Sequence, residues 1–218
     1  MVGEEVEKEE LMIIKIENKA YEFEEVRLKI QYSDTYKNVF YRKNNKTLEQ
    51  TFDNGKYARY AKEFKKQYSQ HLQERLGDFL RSLKENRDNN YLEFLNENGD
   101  KAFCQFSIET HLKDKGLYCF AVNDSVKYVG RCTDSFKKRI NQGYGRISPK
   151  NCFIDGQSTN CRINSLINLE SNVKFGVYVM NDSTKEEIGE LEKMMINSNT
   201  NFIWNIKHQK KNDLHKRL

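Results

Sequence analysis

Four side chains in the second half of this 218-residue chain have types and settings suited to chemistry: Tyr118, Tyr128, Arg139 and Glu192. Glu192 interrupts an apolar series, Ile188, Leu191 and Met195, whose spacing of three and four marks one face of a helix. A carboxylate left unpaired on a core-facing stripe is costly, so this position calls for a cation, a metal ion or a proton. Arg139 follows Phe136 by three residues, at the margin of another apolar helix face, where its stem can pack while the guanidinium reaches over a sheet. The two phenols lie ten residues apart in GLYCFAVNDSVKYVGR, each beside a glycine-containing tripeptide.

The elements around these residues must bring them together. Gly116–Val122 and Val126–Gly130 read as two strands joined by a turn at Asn123, Asp124 and Ser125. A three-residue turn sets Val122 opposite Val126 and places all even-numbered residues, Tyr118 and Tyr128 included, on one face; a two-residue turn separates them. Thr133, Asp134 and Ser135 cap a helix whose Phe136 and Ile140 face inward. Ser158 and Thr159 cap a shorter helix with Ile163, Leu166 and Ile167, and Val173–Val179 reads as a third strand. A capping box over Ser183, Thr184, Lys185 and Glu186 starts the helix of Glu192; Glu186 serves the cap, while Glu187 and Glu190 point outward.

In the first half, residues 11 to 32 alternate apolar and polar (Met12, Ile14, Ile16; Val26, Leu28, Ile30, Tyr32), which predicts a sheet or long hairpin. Tyr60, Phe64, Tyr68, Leu72, Leu76, Leu80 and Leu83 then predict one long helix. Lys56, Arg59, Lys62, Lys65 and Lys66 on its first half are either a solvated face or a track for a phosphate backbone. Irregular chain from Asn89 puts a junction near residue 110, dividing a region 1–110 from a domain 111–218. The fold class expected is α+β, a small antiparallel sheet flanked by helices after an amino-terminal strand-and-long-helix region.

With no apolar run near the ~20 residues of a membrane span and no signal-peptide pattern, the composition predicts a soluble, cytoplasmic protein without a membrane partner. Five cysteines without a CxxC pair, and four histidines away from them, argue for reduced thiols, buried as small hydrophobes or sitting in loops, rather than a zinc site or disulfide framework. Charge is uneven: MVGEEVEKEE at the start is acidic and KHQKKNDLHKRL at the end is basic, which suits either a polyanion partner or a solvated tail.

In order and kind, these motifs resemble the GIY-YIG nuclease superfamily. Its two tripeptides correspond to Gly116-Leu117-Tyr118 and Tyr128-Val129-Gly130, its helix arginine to Arg139 in SFKKRI, its glutamate to Glu192 in LEKMMI, and its late asparagine to Asn205 in IWNIK. The resemblance spans about Lys115 to His208. It implies metal-dependent hydrolysis of double-stranded DNA, most like the restriction endonucleases of the superfamily, with repair, homing or phage-type nucleases and a silent DNA-binding module as alternatives. By that resemblance Glu192 holds Mg2+ or another divalent cation such as Mn2+, Tyr118 orients or deprotonates water, Tyr128 hydrogen-bonds nearby, and Arg139 stabilises charge on the phosphate. Many relatives carry a histidine or tyrosine four residues after the arginine; here Gly143 stands there and Tyr144 follows, so Tyr144 is the substitute candidate or else a loop aromatic. Asn205 either touches metal or phosphate or pins the chain near Trp204. The polar stretch from Gly143 to Arg162 offers Arg146, Lys150, Gln157, Asn160 and Arg162 for DNA contacts, loop solvation being the alternative. Cutting two strands with one centre per chain suggests a homodimer or sequential nicking.

Overall fold

The structure, a computed structural model, describes residues 11–199 and 201–205. In chain order its strands are β1 (Leu11–Ile16), β2 (Lys19–Val26), β3 (Lys29–Tyr36), β4 (Phe103–Ser107), β5 (Gly116–Val122), β6 (Ser125–Cys132) and β7 (Val173–Val179). The longer helices are α1 (Ala58–Gln67), α2 (Leu76–Glu85), α3 (Lys137–Tyr144), α4 (Ser158–Leu169) and α5 (Lys185–Ser198). The architecture is mixed α+β, as expected. The basic carboxyl-terminal stretch and the acidic start lie outside the described residues.

Neither of the two compact units is one continuous stretch. The first takes the chain up to Lys29, then Phe106–Gln142, then the part from Glu170 onward; the second comprises Ile30–Gln105 and Gly143–Leu169. The junction expected near residue 110 therefore marks only one of several crossings. What overrides it is strand pairing: β2 hydrogen-bonds to β7 through Glu24–Val177, Glu25–Gly176 and Val26–Phe175, so the amino-terminal hairpin joins the same sheet as the tyrosine strands.

That sheet is antiparallel, in the order β1-β2-β7-β5-β6. β5 lies inside it, and all seven of its residues are buried, matching its nearly unbroken apolar run. Leu117, Cys119 and Val129 turn toward one face, where Ile14, Ile16, Tyr21 and Phe23 join Ile188 and Met195 of α5. The other face carries Tyr118, Phe120, Tyr128 and Phe175, with Phe136 at the head of α3 against Tyr118.

The turn between β5 and β6 differs from expectation. It has two residues, Asn123 and Asp124, both left-handed with φ of 49° and 61°, and Val122 pairs with Ser125. Those are the dihedrals a tight hairpin turn requires, and Asn and Asp tolerate them. A two-residue turn should have split the tyrosines across the sheet. A bulge between Phe120 and Ala121 shifts the register by one, so Phe120 pairs with Tyr128 and Tyr118 with Gly130, restoring both phenols to one face.

In the second unit the single long helix is instead two. α1 ends at Tyr68, whose backbone leaves the helical region (φ −119°, ψ 38°), and α2 restarts at Leu76 after Arg75 bridges to Thr47. Spacing of four continued through the break because both helices bury their apolar faces in one aromatic-rich core containing Phe40, Phe52, Tyr57, Phe64, Phe79 and Phe94. Ile147, Cys152, Phe153 and Cys161 enter the same core, so the stretch after Gly143 is structured and not a solvated insert. All five cysteines are free and buried. No helix among the described residues is long and apolar enough to cross a membrane.

Candidate functional site

Both tripeptide glycines are required by contacts. At Gly116, φ is +145° and a β-carbon would overlap the Tyr178 carbonyl of β7. At Gly130, a β-carbon would stand 2.5 Å from the Tyr118 hydroxyl oxygen and 2.8 Å from Tyr128 Cε1. The absent side chain thus forms a notch into which the two rings lean, their centroids 6.1 Å apart. Both rings are nevertheless buried, Tyr118 at 1% and Tyr128 at 8% exposure, within a group that includes Phe120, Phe136 and Phe175. Packing is therefore what the surroundings of this pair provide.

The strand end just past Gly130 lies against one of the two charged candidates, Glu192. Arg131 points to the α5 face, and its Nε lies 3.4 Å from Glu192 Oε2. Glu192 is 21% exposed and so lies at the margin of the α5 stripe rather than in its centre. The Arg131 guanidinium crosses α5 at Gly189, where any β-carbon would overlap it. Neighbouring Cys132 is buried on the other side; burial pushes its thiol pKa up, while the Asp134 backbone and the nearby Arg139 charge pull it down. Arg139 itself is exposed on α3. Of the two residues of edge strand β6 after Gly130, Arg131 thus pairs with Glu192, and Cys132 feels the charge of Arg139. An open groove of mixed charge, lined by Arg131, Thr133, Lys185, Glu186, Gly189, Glu190 and Lys193, runs along the first half of α5.

α3 is wound in the wider π form over Lys137–Tyr144, which still buries Phe136 and Ile140 completely. Such wide turns recur at functional positions. The cap of α5 falls one residue later than expected: Thr184 is the N-cap and Glu187, not Glu186, returns the bond to it, at 2.7 Å. Those bonds to Thr184 hold the Glu187 carboxyl below its ordinary pKa.

Asn205 is engaged by the sheet edge. Its Oδ1 accepts from the Val129 N–H at 3.0 Å and its Nδ2 donates to the Val129 carbonyl at 2.7 Å, while the Trp204 N–H bonds to the Lys127 carbonyl. This favours the pinning role over contact with metal or phosphate. Tyr144 is buried at the end of α3, in a helical turn rather than a flexible glycine loop, and belongs to the second unit.

All five residues proposed for DNA contact also lie in the second unit. Arg146, Lys150 and Gln157 are exposed and Arg162 is half-buried. Asn160 is buried at 4%, its amide donating to Gln157 Oε1, because it opens α4 on the inward side; it is not available to a base edge. Sequence reading missed Arg131 and Gly189. A glycine inside the Glu192 helix was the available signal, since an interior helix glycine costs stability unless something must approach closely.

Among the described residues no three His, Cys, Asp or Glu side chains gather as metal ligands. The donor set that fits is a single partly exposed carboxylate, Glu192, which suits an oxygen-seeking ion that keeps most of its waters and completes its shell with phosphate oxygens. Arg131 already neutralises that carboxylate and would have to yield part of it. Comparison with protein-family models, with curated proteins and with solved structures gives no match for this chain.

Proposed function

We propose that the protein is a divalent-metal-dependent DNA endonuclease of the GIY-YIG kind, cutting phosphodiesters in double-stranded DNA, with a restriction-type specificity as the preferred reading. The supporting observation is the end of β6: a notch at Gly130 holds Tyr118 and Tyr128, and the next residue, Arg131, pairs with Glu192.

Glu192 would hold Mg2+ or Mn2+, which supplies Lewis acidity at a phosphate oxygen. Tyr118 and Tyr128 present hydroxyls that orient the attacking water and accept or relay its proton. A phenol has an ordinary pKa near ~10, so it acts as a base at neutral pH only with a cation near it. Arg139, permanently charged, is the residue of this chain suited both to that help and to charge developing on the phosphate. Asn205 occupies both backbone groups of Val129, the residue before Gly130, and so helps to position the notch.

Incubation of the protein with plasmid and Mg2+ tests the reading. Nicked or linear DNA is expected from the wild type, with losses of roughly 100-fold or more for Glu192→Gln and Arg139→Ala, the usual cost of removing one such group. Wild-type cutting that survives both changes rules out the mechanism. The burial of both tyrosines favours one alternative, a DNA-binding module in which they only pack. Duplex binding without cleavage under several metals would select it.

A further inference from the structure

We propose that Lys43, Lys46, Lys56 and Lys150 form a docking patch on the second unit for the phosphate backbone of double-stranded DNA; the choice of partner rests on the nuclease reading above. Two distant parts of the sequence supply these lysines: Lys43 and Lys56, with Lys46 between them, and Lys150, whose segment Pro149–Asp155 is touched by Lys43 and Lys56. Lys43 Nζ lies 5.7 Å from the centre of the Phe153 ring, and Lys56 Nζ donates to the Ile154 carbonyl at 3.4 Å. Lys46 and Lys150 are exposed and close enough to act on Lys43 through their charges.

The fold holds this cluster together although its members repel. Burial lowers the Lys43 pKa most; Asp155 opposes that, and the charges of Lys150 and Lys46 lower it further. Asp155, the carboxylate that acts on Lys43, is already engaged by the Tyr57 hydroxyl at 2.7 Å and the Asn54 amide at 3.3 Å. A like-charge group, with Lys43 set over the Phe153 ring and the neighbouring carboxylate tied to neutral donors, suits a polyanion that releases counterions on docking. Such contacts set register and orientation without reading sequence.

The test uses the full chain carrying Glu192→Gln and a fluorescent duplex, without divalent metal, with anisotropy measured across a range of salt. Adding Lys43→Ala, Lys46→Ala and Lys150→Ala is expected to weaken binding at least ~10-fold near physiological salt and to flatten the plot of log affinity against log salt by about 2 to 3. Lysine-to-arginine changes at the same three positions should keep both values. The control removes three exposed lysines of the first unit, Lys15, Lys19 and Lys113, for the same change in net charge. A patch variant that binds as tightly as this control overturns the patch alone. A parent protein that binds no duplex overturns the nuclease reading and the patch together.

Discussion

The Tyr118 hydroxyl oxygen occupies the space that a side chain on Gly130 would need: a β-carbon there would stand 2.5 Å from it and 2.6 Å from Cζ of the same ring. Strand register creates this relationship, since Tyr118 and Gly130 are direct partners across β5 and β6. The glycine and the tyrosine are therefore a matched pair.

Gly130→Ala should force both rings to move within a packed face. Overpacking of this kind costs roughly 1–3 kcal/mol, and urea denaturation should show a lower midpoint with little change in slope. A variant as stable as wild type would mean that the rings yield freely and that the notch is not tight.

Gly189→Ala should separate stability from function. An interior helix glycine replaced by alanine gains about 0.5–1 kcal/mol, and the overlapping group is the movable end of Arg131, which is half exposed. Melting temperature should hold or rise. Displacing the guanidinium from Glu192 should alter Mn2+ affinity measured by calorimetry, and with it the cleavage rate; unchanged affinity would remove Arg131 from the site.

His111 should make the fold sensitive to pH. Its Nε2 lies 2.8 Å from Glu24 and its Nδ1 2.9 Å from Asp114, and two carboxylate acceptors require both ring nitrogens to donate. Burial lowers its pKa, but the hydrogen bonds and charges of Glu24 and Asp114 outweigh this and raise it above 6.5. A raised folded value means that stabilisation is fully present below the unfolded pKa and disappears as pH rises through the folded one. Unfolding free energy measured from about pH 6 to 9 should fall for wild type and stay flatter for His111→Gln. Asp114, held below its ordinary pKa by Asn181 and His111, acts oppositely, losing its contribution as acid protonates it.

Asn164 should be among the residues least tolerant of change in the second unit. Fully buried, it accepts from the Cys104 N–H at 3.0 Å and donates to the carbonyls of Cys104 at 2.8 Å and Tyr144 at 2.7 Å. Asn164→Ala strands buried backbone groups and should cost roughly 2–4 kcal/mol; thermal unfolding measures it. Asn164→Asp should cost at least as much, because a carboxylate cannot donate to either carbonyl.

The asparagines show how part of this protein was hidden in its sequence. Asn205 clasps Val129, Asn141 clasps Ile108 and Asn164 clasps Cys104, each pairing one side-chain amide with both backbone groups of a single residue. The partners are 76, 33 and 60 residues away, so no local pattern marks them. The same holds for Lys43 and Lys150, whose meeting depends on how the second unit closes. The break at Tyr68 escaped notice for a different reason: two helices facing one core keep the periodicity of one.

Local information determined the strands β5, β6 and β7 and the helices that carry Arg139 and Glu192, because apolar periodicity and capping residues act over a few positions. Tertiary structure decided the rest. Pairing of β2 with β7 made the chain's two units discontinuous, the bulge after Phe120 rescued the tyrosines from a two-residue turn, and the approach of α5 to β6 gave Glu192 its partner Arg131. Each of these is a long-range pairing, fixed by hydrogen bonds and steric fit between segments whose proximity no local spacing records.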